Sequence, residues 1–77
     1  MILIGNDKKP ENTIYFYAGV VWKILQTKTQ LDFRKIEKEF HKTTGLITNE
    51  LFLILAIDFL YMIDFVDVDL EGNLYVP

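Results

Sequence analysis

Residues 48–76 read TNELFLILAIDFLYMIDFVDVDLEGNLYV, and this stretch decides the fold. Thr48 is a typical helix N-cap, and the run from Leu51 to Ile63 after it is apolar on nearly every side, which predicts a helix buried on more than one face. From Val66 to Leu70 apolar and acidic residues alternate, as in a strand with one dry and one wet face. The tight turn Glu71-Gly72-Asn73 then predicts a hairpin in which residues 74–76 form the partner strand.

Two further helices are predicted upstream. The first is capped by Asn12 or Thr13 and fades at residues 27–29. Its buried stripe consists of Ile14, Tyr17, Ala18, Val21, Ile24 and Leu25. A short extended link leads to the second helix, which Asp32 caps and Gly45 ends in a left-handed conformation. The apolar seam of that helix is narrow and consists of Phe33, Ile36 and Phe40.

The order of these elements is helix, short strand, helix, helix and two-stranded hairpin. This order predicts an α+β, mostly helical fold, a winged helix-turn-helix formed by residues 1–77 as a single domain. The third helix takes the position of a recognition helix, and residues 65–76 take that of the wing. Met1-Ile2-Leu3-Ile4 can add an extra N-terminal strand, either to this wing or to another chain.

Lys42 is the last Lys or Arg in the sequence. The first 42 residues hold eight basic and five acidic residues, a net charge of +3, whereas residues 43–77 hold six acidic residues and no Lys or Arg. Affinity for nucleic acid comes mostly from Lys and Arg that neutralise phosphates, so an acidic recognition helix and wing are expected to repel DNA. The charge distribution therefore favours a protein partner.

An excess of apolar residues also points to a partner. Apolar residues make up 51% of the 77-residue chain and aromatic residues 14%, more than so small an interior can bury. On the third helix, Phe52, Ala56, Phe59, Leu60 and Ile63 share a face that we assign to the core. A second face and the flanking elements supply the predicted protein-binding residues: Tyr15, Trp22, Glu50, Ile54, Ile57, Asp58, Tyr61, Asp67 and Asp69. Burial within the domain is the alternative for any one of them.

The sequence offers little catalytic chemistry. It contains no Ser and no Cys, and His41 is the single histidine, so neither a Ser-His-Asp nor a Cys-His arrangement can form. Asp64, Asp67 and Asp69 lack the spacing of a calcium-binding loop. We therefore expect no enzyme activity, no cofactor and no metal. The longest apolar run has 13 residues, too few to span a membrane, and no signal peptide is recognisable, so we expect a cytoplasmic protein.

Two other interpretations stay open. A small DNA-binding regulator could use the basic residues of the second helix (Arg34, Lys35, Lys38 and Lys42), although Glu37 and Glu39 are interleaved with them and favour a solvated, salt-bridged face. The apolar excess would then serve a homo-oligomer. A phage-encoded inhibitor, such as a toxin-neutralising protein, also fits a small acidic body.

The core helix carries a family resemblance. Ala56-Ile57-Asp58-Phe59-Leu60-Tyr61, leading into a short hairpin, resembles the core helix of the small middle-component subunits, type six, of bacterial ABC three-component systems. Pro10 would be the loop proline of those chains, and the resemblance covers nearly the whole sequence. It implies an accessory subunit that links an ABC or SMC-like ATPase to an effector of the same operon in anti-phage or conflict systems. It implies no catalytic residue.

Overall fold

The computed structural model describes residues 13–28 and 30–77. They form helices α1 (Ile14–Thr27), α2 (Phe33–Thr44) and α3 (Glu50–Met62) and strands β1 (Asp67–Val68) and β2 (Leu74–Tyr75). The two strands pair antiparallel, so the α+β, mostly helical prediction is confirmed, and the element order is consistent with a winged helix. The predicted strand at Met1–Ile4, the loop at Pro10 and the alternative cap Asn12 lie outside the described residues.

Helix α1 is the centre of the domain, because it packs against α2, α3 and β2. Thr13 caps it by accepting a hydrogen bond from the Phe16 N–H at 3.1 Å. The predicted stripe is buried except for half-buried Ile14. At the centre of the core the ring of Tyr17 stacks on Phe40 at 4.4 Å and meets Phe52 edge-on at 5.5 Å, so aromatic contacts join all three helices.

Helix α2 begins and ends as predicted. Asp32 Oδ1 accepts a hydrogen bond from the Lys35 N–H at 2.9 Å. Gly45 adopts φ 73°, a left-handed conformation in which glycine has no Cβ to strain, and its N–H donates to the His41 carbonyl at 2.8 Å. Ile36 and Phe40 are fully buried and Phe33 is half-buried, which confirms the narrow seam.

The start of α3 differs from the prediction. Asn49, not Thr48, is the N-cap, and its Oδ1 accepts from the Phe52 N–H at 3.2 Å. The helix begins one residue later than predicted because two neighbouring residue types can both cap. Thr48 Oγ1 is buried and has no hydrogen-bond partner within the described chain.

The core face of α3 also differs. Leu53, Ala56 and Leu60 are buried, whereas Phe52 and Phe59 are half-buried and Ile63 is exposed. Four of the five predicted residues thus belong to the core or pack against it, but the prediction missed Leu53 and wrongly included Ile63. In a helix that is apolar all round, periodicity gives little information about which side faces the core.

Asp64 ends α3 with an unusual backbone. It has φ 64°, the single positive φ of a non-glycine residue among the described residues. The Asp64 N–H donates to the Tyr61 carbonyl at 3.1 Å, and the Phe65 N–H donates to the Leu60 carbonyl at 2.9 Å. This crossed pair of hydrogen bonds is a Schellman motif, in which the left-handed position is usually Gly.

The hairpin is short, and the link between α1 and α2 pairs with it through an isolated β-bridge. Leu31 and Leu74 exchange backbone hydrogen bonds of 3.1 and 2.8 Å, which places the link beside β2. The predicted turn is confirmed, with Gly72 at φ 87°. Of the three apolar residues predicted on the dry face, Val66 is buried, whereas Val68 and Leu70 are exposed because no helix or strand of the described residues covers them.

A side chain of β1 occupies one outward-facing backbone donor of the same strand. Val68 lies opposite Leu74, whose N–H and carbonyl are both engaged with Leu31. The Val68 N–H therefore has no backbone partner in β2, and it donates instead to Asp67 Oδ1 at 2.8 Å. A free edge donor that could pair with another strand is thus occupied.

Candidate protein-binding surface

The exposed side of α3 lies opposite Leu53, Ala56 and Leu60. We call it the α3 outer face, and it consists of Glu50, Leu51, Ile54, Leu55, Asp58, Tyr61 and Met62, all exposed. The contrast along the helix is sharp, since Leu53 is fully buried whereas the next residue, Ile54, exposes 44% of its surface. Five of the seven residues are apolar or aromatic, which is unusual for the solvent side of a helix.

Four of the predicted binding residues meet on this face: Glu50, Ile54, Asp58 and Tyr61. Ile57, predicted with them, is half-buried and packs against the core cluster instead. Leu51, Leu55 and Met62 were missed by the sequence reasoning. Their positions could be inferred only once the buried side of α3 was known, and the uniform apolar character of the helix conceals that side.

The two aromatic residues predicted from α1 take different positions. Tyr15 exposes 47% of its surface and meets the Phe59 ring edge-on at 5.7 Å, which places it beside α3. Trp22 is half-buried, and its ring lies 5.2 Å from that of Phe65 at a tilted angle. Tyr15 therefore extends the exposed aromatic surface near α3, whereas Trp22 mainly supports the start of the hairpin.

A cleft connects the α3 outer face to the hairpin. It has a volume of about 330 Å³ and is lined by Tyr61, Met62, Asp64, Val66, Asp67 and Pro77. Predicted residue Asp67 thus adjoins Tyr61 through this cleft, and the second carboxylate, Asp64, belongs to the α3 terminus. Apolar side chains and acidic groups are therefore adjacent, a chemistry that suits a partner with apolar and basic groups.

Asp69, the last predicted binding residue, holds the hairpin turn. Its Oδ1 accepts from the Glu71 and Asn73 N–H groups, each at 2.9 Å, and its Oδ2 accepts from Gln30 Nε2 at 3.3 Å. The backbone hydrogen bond from Asn73 is the largest of the causes that lower the pKa of Asp69 below its ordinary value of 3.8. The carboxylate is thus engaged within the domain.

Neither metal binding nor membrane insertion gains support from the described residues. Within residues 13–28 and 30–77, no group of three or more His, Cys, Asp or Glu side chains is arranged to hold a metal ion. None of the three helices in that part of the chain combines the length and the apolar character needed to cross a bilayer.

Comparison with known proteins gives one match. A family model described as ABC-three component (ABC-3C) system Middle Component 6 matches residues 3–76. Curated proteins and solved structures yielded no match. The family match agrees with the resemblance seen in the core helix and covers nearly all of the 77 residues. The chain therefore belongs to the middle component 6 family of ABC three-component systems.

Proposed function

We propose that this middle component is a non-catalytic subunit that docks onto a larger protein of its own system through the α3 outer face. The observation that supports this most directly is the exposure of Leu51, Ile54, Leu55, Tyr61 and Met62 on one side of one helix. Contiguous exposed apolar surface is typical of contact sites, and tyrosine is enriched among the residues that dominate binding energy.

The charges around this face indicate the chemistry of the partner. Glu50 and Asp58 lie on the face itself, and Asp64 and Asp67 line the adjoining cleft. No Lys or Arg follows Lys42. We expect the partner to present an apolar patch with basic residues at its rim, because such complementarity speeds encounter and selects the partner. DNA would be repelled by the same acidic groups.

The place of the chain in its system follows from its family. A middle component is an accessory member of a multi-component system, so other proteins must work with it. We propose that it links the ATPase component to an effector in an anti-phage or conflict system. A linking role requires no catalytic group, and the absence of Ser and Cys from the sequence agrees with that.

Co-expression with the other components of the system tests the proposal. The tagged chain should co-purify with at least one of them, and Ile54→Lys combined with Tyr61→Lys should abolish the complex, because two charged groups would enter a dry contact. Both side chains are exposed, so the double variant should keep the circular dichroism spectrum and the cooperative unfolding of the unmodified chain.

Ile47→Lys is the matched control. Ile47 is 91% exposed in the loop before α3, outside the α3 outer face, and it receives the same change from apolar to charged. The control should retain the complex. A chain that recovers no component, or a double variant that still binds as the control does, would contradict docking through α3.

A further inference from the structure

A second charged surface lies on α2. Arg34, Lys38, His41 and Lys42 recur at helical spacing, with Lys35 beside them, and all five are exposed. We call this surface the α2 basic stripe. It lies opposite the buried Ile36 and Phe40, and Glu37 and Glu39, both half-buried, flank it on either side instead of interrupting it.

No ion pair with another described residue neutralises the cations of this stripe. The sequence pattern predicted a salt-bridged face, yet no side-chain nitrogen of a Lys or Arg in the described part of the chain lies within 4.0 Å of a carboxylate oxygen. His41 is oriented by its Nδ1–H, which donates to the Leu46 carbonyl at 2.7 Å. The stripe thus presents four permanent positive charges to solvent.

We infer that the α2 basic stripe binds an acidic segment of a protein partner, on a different helix from the α3 outer face. Charge complementarity identifies this occupant. The stripe rises about 12 Å from Arg34 to Lys42, a length that a short run of Asp and Glu side chains can match. The inference does not depend on docking through α3, because α2 and α3 are joined mainly through α1.

Duplex nucleic acid fits the stripe less well. A duplex carries one negative charge per about 1.7 Å of axis with both strands counted, so about seven charges lie within the length of the stripe, and the duplex continues past both of its ends. The chain as a whole carries a net charge of −3, with six acidic and no basic residues in positions 43–77, so the phosphates beyond the stripe meet a molecule of the same sign of charge. The stripe also holds no aromatic side chain on which an unpaired base could stack.

Fluorescence anisotropy with defined probes tests this inference. The full chain would be titrated at low salt against a labelled poly-glutamate peptide, a poly-glutamine peptide of equal length and a DNA duplex. We expect binding to poly-glutamate alone, weakening as salt rises. Lys38→Glu with Lys42→Glu should raise the Kd for poly-glutamate at least about tenfold. Lys38→Gln with Lys42→Gln removes the two charges without reversing them and should also raise the Kd for poly-glutamate.

Lys23→Glu with Lys28→Glu is the matched control, because it makes the same change of net charge on exposed residues of α1 and its C-cap. It should change the Kd less than about threefold, and Ile54→Lys should not raise it. Three outcomes would overturn the inference: no binding of poly-glutamate, equal losses in the α2 variants and the control, or tighter binding of DNA than of poly-glutamate.

Discussion

The Tyr17 hydroxyl accepts a hydrogen bond of 2.9 Å from the backbone N–H of Asn49, the N-cap of α3. Thirty-two positions separate the two residues. Since Tyr17 is 3% exposed and its ring stacks on Phe40, this bond ties the start of the proposed binding helix to the centre of the core.

Tyr17→Phe should therefore lower the free energy of unfolding by about 1 to 2 kcal/mol, because the ring stays but the Asn49 N–H loses its acceptor. Urea unfolding followed by circular dichroism measures the change. Tyr61→Phe, which removes a hydroxyl from an exposed side chain, should change it by less than about 0.5 kcal/mol. Equal effects of the two variants would mean that the Tyr17–Asn49 bond contributes nothing measurable.

Neighbouring residues of α3 should differ strongly in their contribution to stability. Leu53→Ala opens a cavity in the core and should lower the free energy of unfolding by about 2 to 5 kcal/mol. Ile54 is 44% exposed and lies outside the core, so for Ile54→Ala we expect a loss below about 1 kcal/mol. The same urea titration separates the two, and a larger loss for Ile54→Ala would assign this residue to the core.

The left-handed conformation of Asp64 predicts an order of stability among variants. A Cβ is unfavourable at φ 64°, and aspartate tolerates this conformation better than alanine does. Asp64→Gly should exceed Asp64→Ala in stability by about 1 kcal/mol, with the aspartate form between them or equal to glycine. Thermal melts of the three chains measure the order. If the alanine form were the most stable, a strained C-terminus of α3 would be excluded.

The hairpin turn should weaken in acid. The pKa of Asp69 in the folded chain lies below 3.8, chiefly because of the Asn73 N–H, so its ionised form stabilises the fold above that value. This contribution is lost as the pH falls below 3.8 and through the lower pKa of the folded state. Asp69→Asn should therefore be less stable than the unmodified chain near neutral pH, and the difference should shrink below pH 3.8. Thermal melts of both chains, from neutral pH to below pH 3.8, measure this difference in stability. A difference that stayed constant over this pH range would contradict the proposed coupling between the ionisation of Asp69 and folding.

Local signals in the sequence were sufficient for α1 and α2. Three predicted features depend on short-range chemistry, and all three are present in the structure. They are the buried side of α1 from Tyr17 to Leu25, the N-cap Asp32 and the left-handed Gly45. The turn at Gly72 was predictable for the same reason, because few residues other than glycine accept its backbone conformation.

The orientation of α3 and the packing of the hairpin depend on tertiary contacts that the sequence does not reveal. Leu53 and Ile54 are equally apolar, so only the position of α1 determines which of them is buried. Val68 and Leu70 alternate with acids as in a half-buried strand, but in residues 13–28 and 30–77 no helix or strand forms a layer over them. The predicted binding residues therefore include four of the seven exposed residues of the α3 outer face, and the prediction lacks the other three, Leu51, Leu55 and Met62.

The bond between Asp67 Oδ1 and the Val68 N–H has a consequence for the chain before it is assembled. Phe65, Val68 and Leu70 are exposed in the hairpin, and an apolar hairpin with an open edge is a template for cross-β aggregation. Because this edge donor is already occupied, a strand of another copy that paired here would first have to break the bond between Val68 and Asp67. The same cost applies to a partner strand that would extend the sheet at this edge, which favours recognition through side chains.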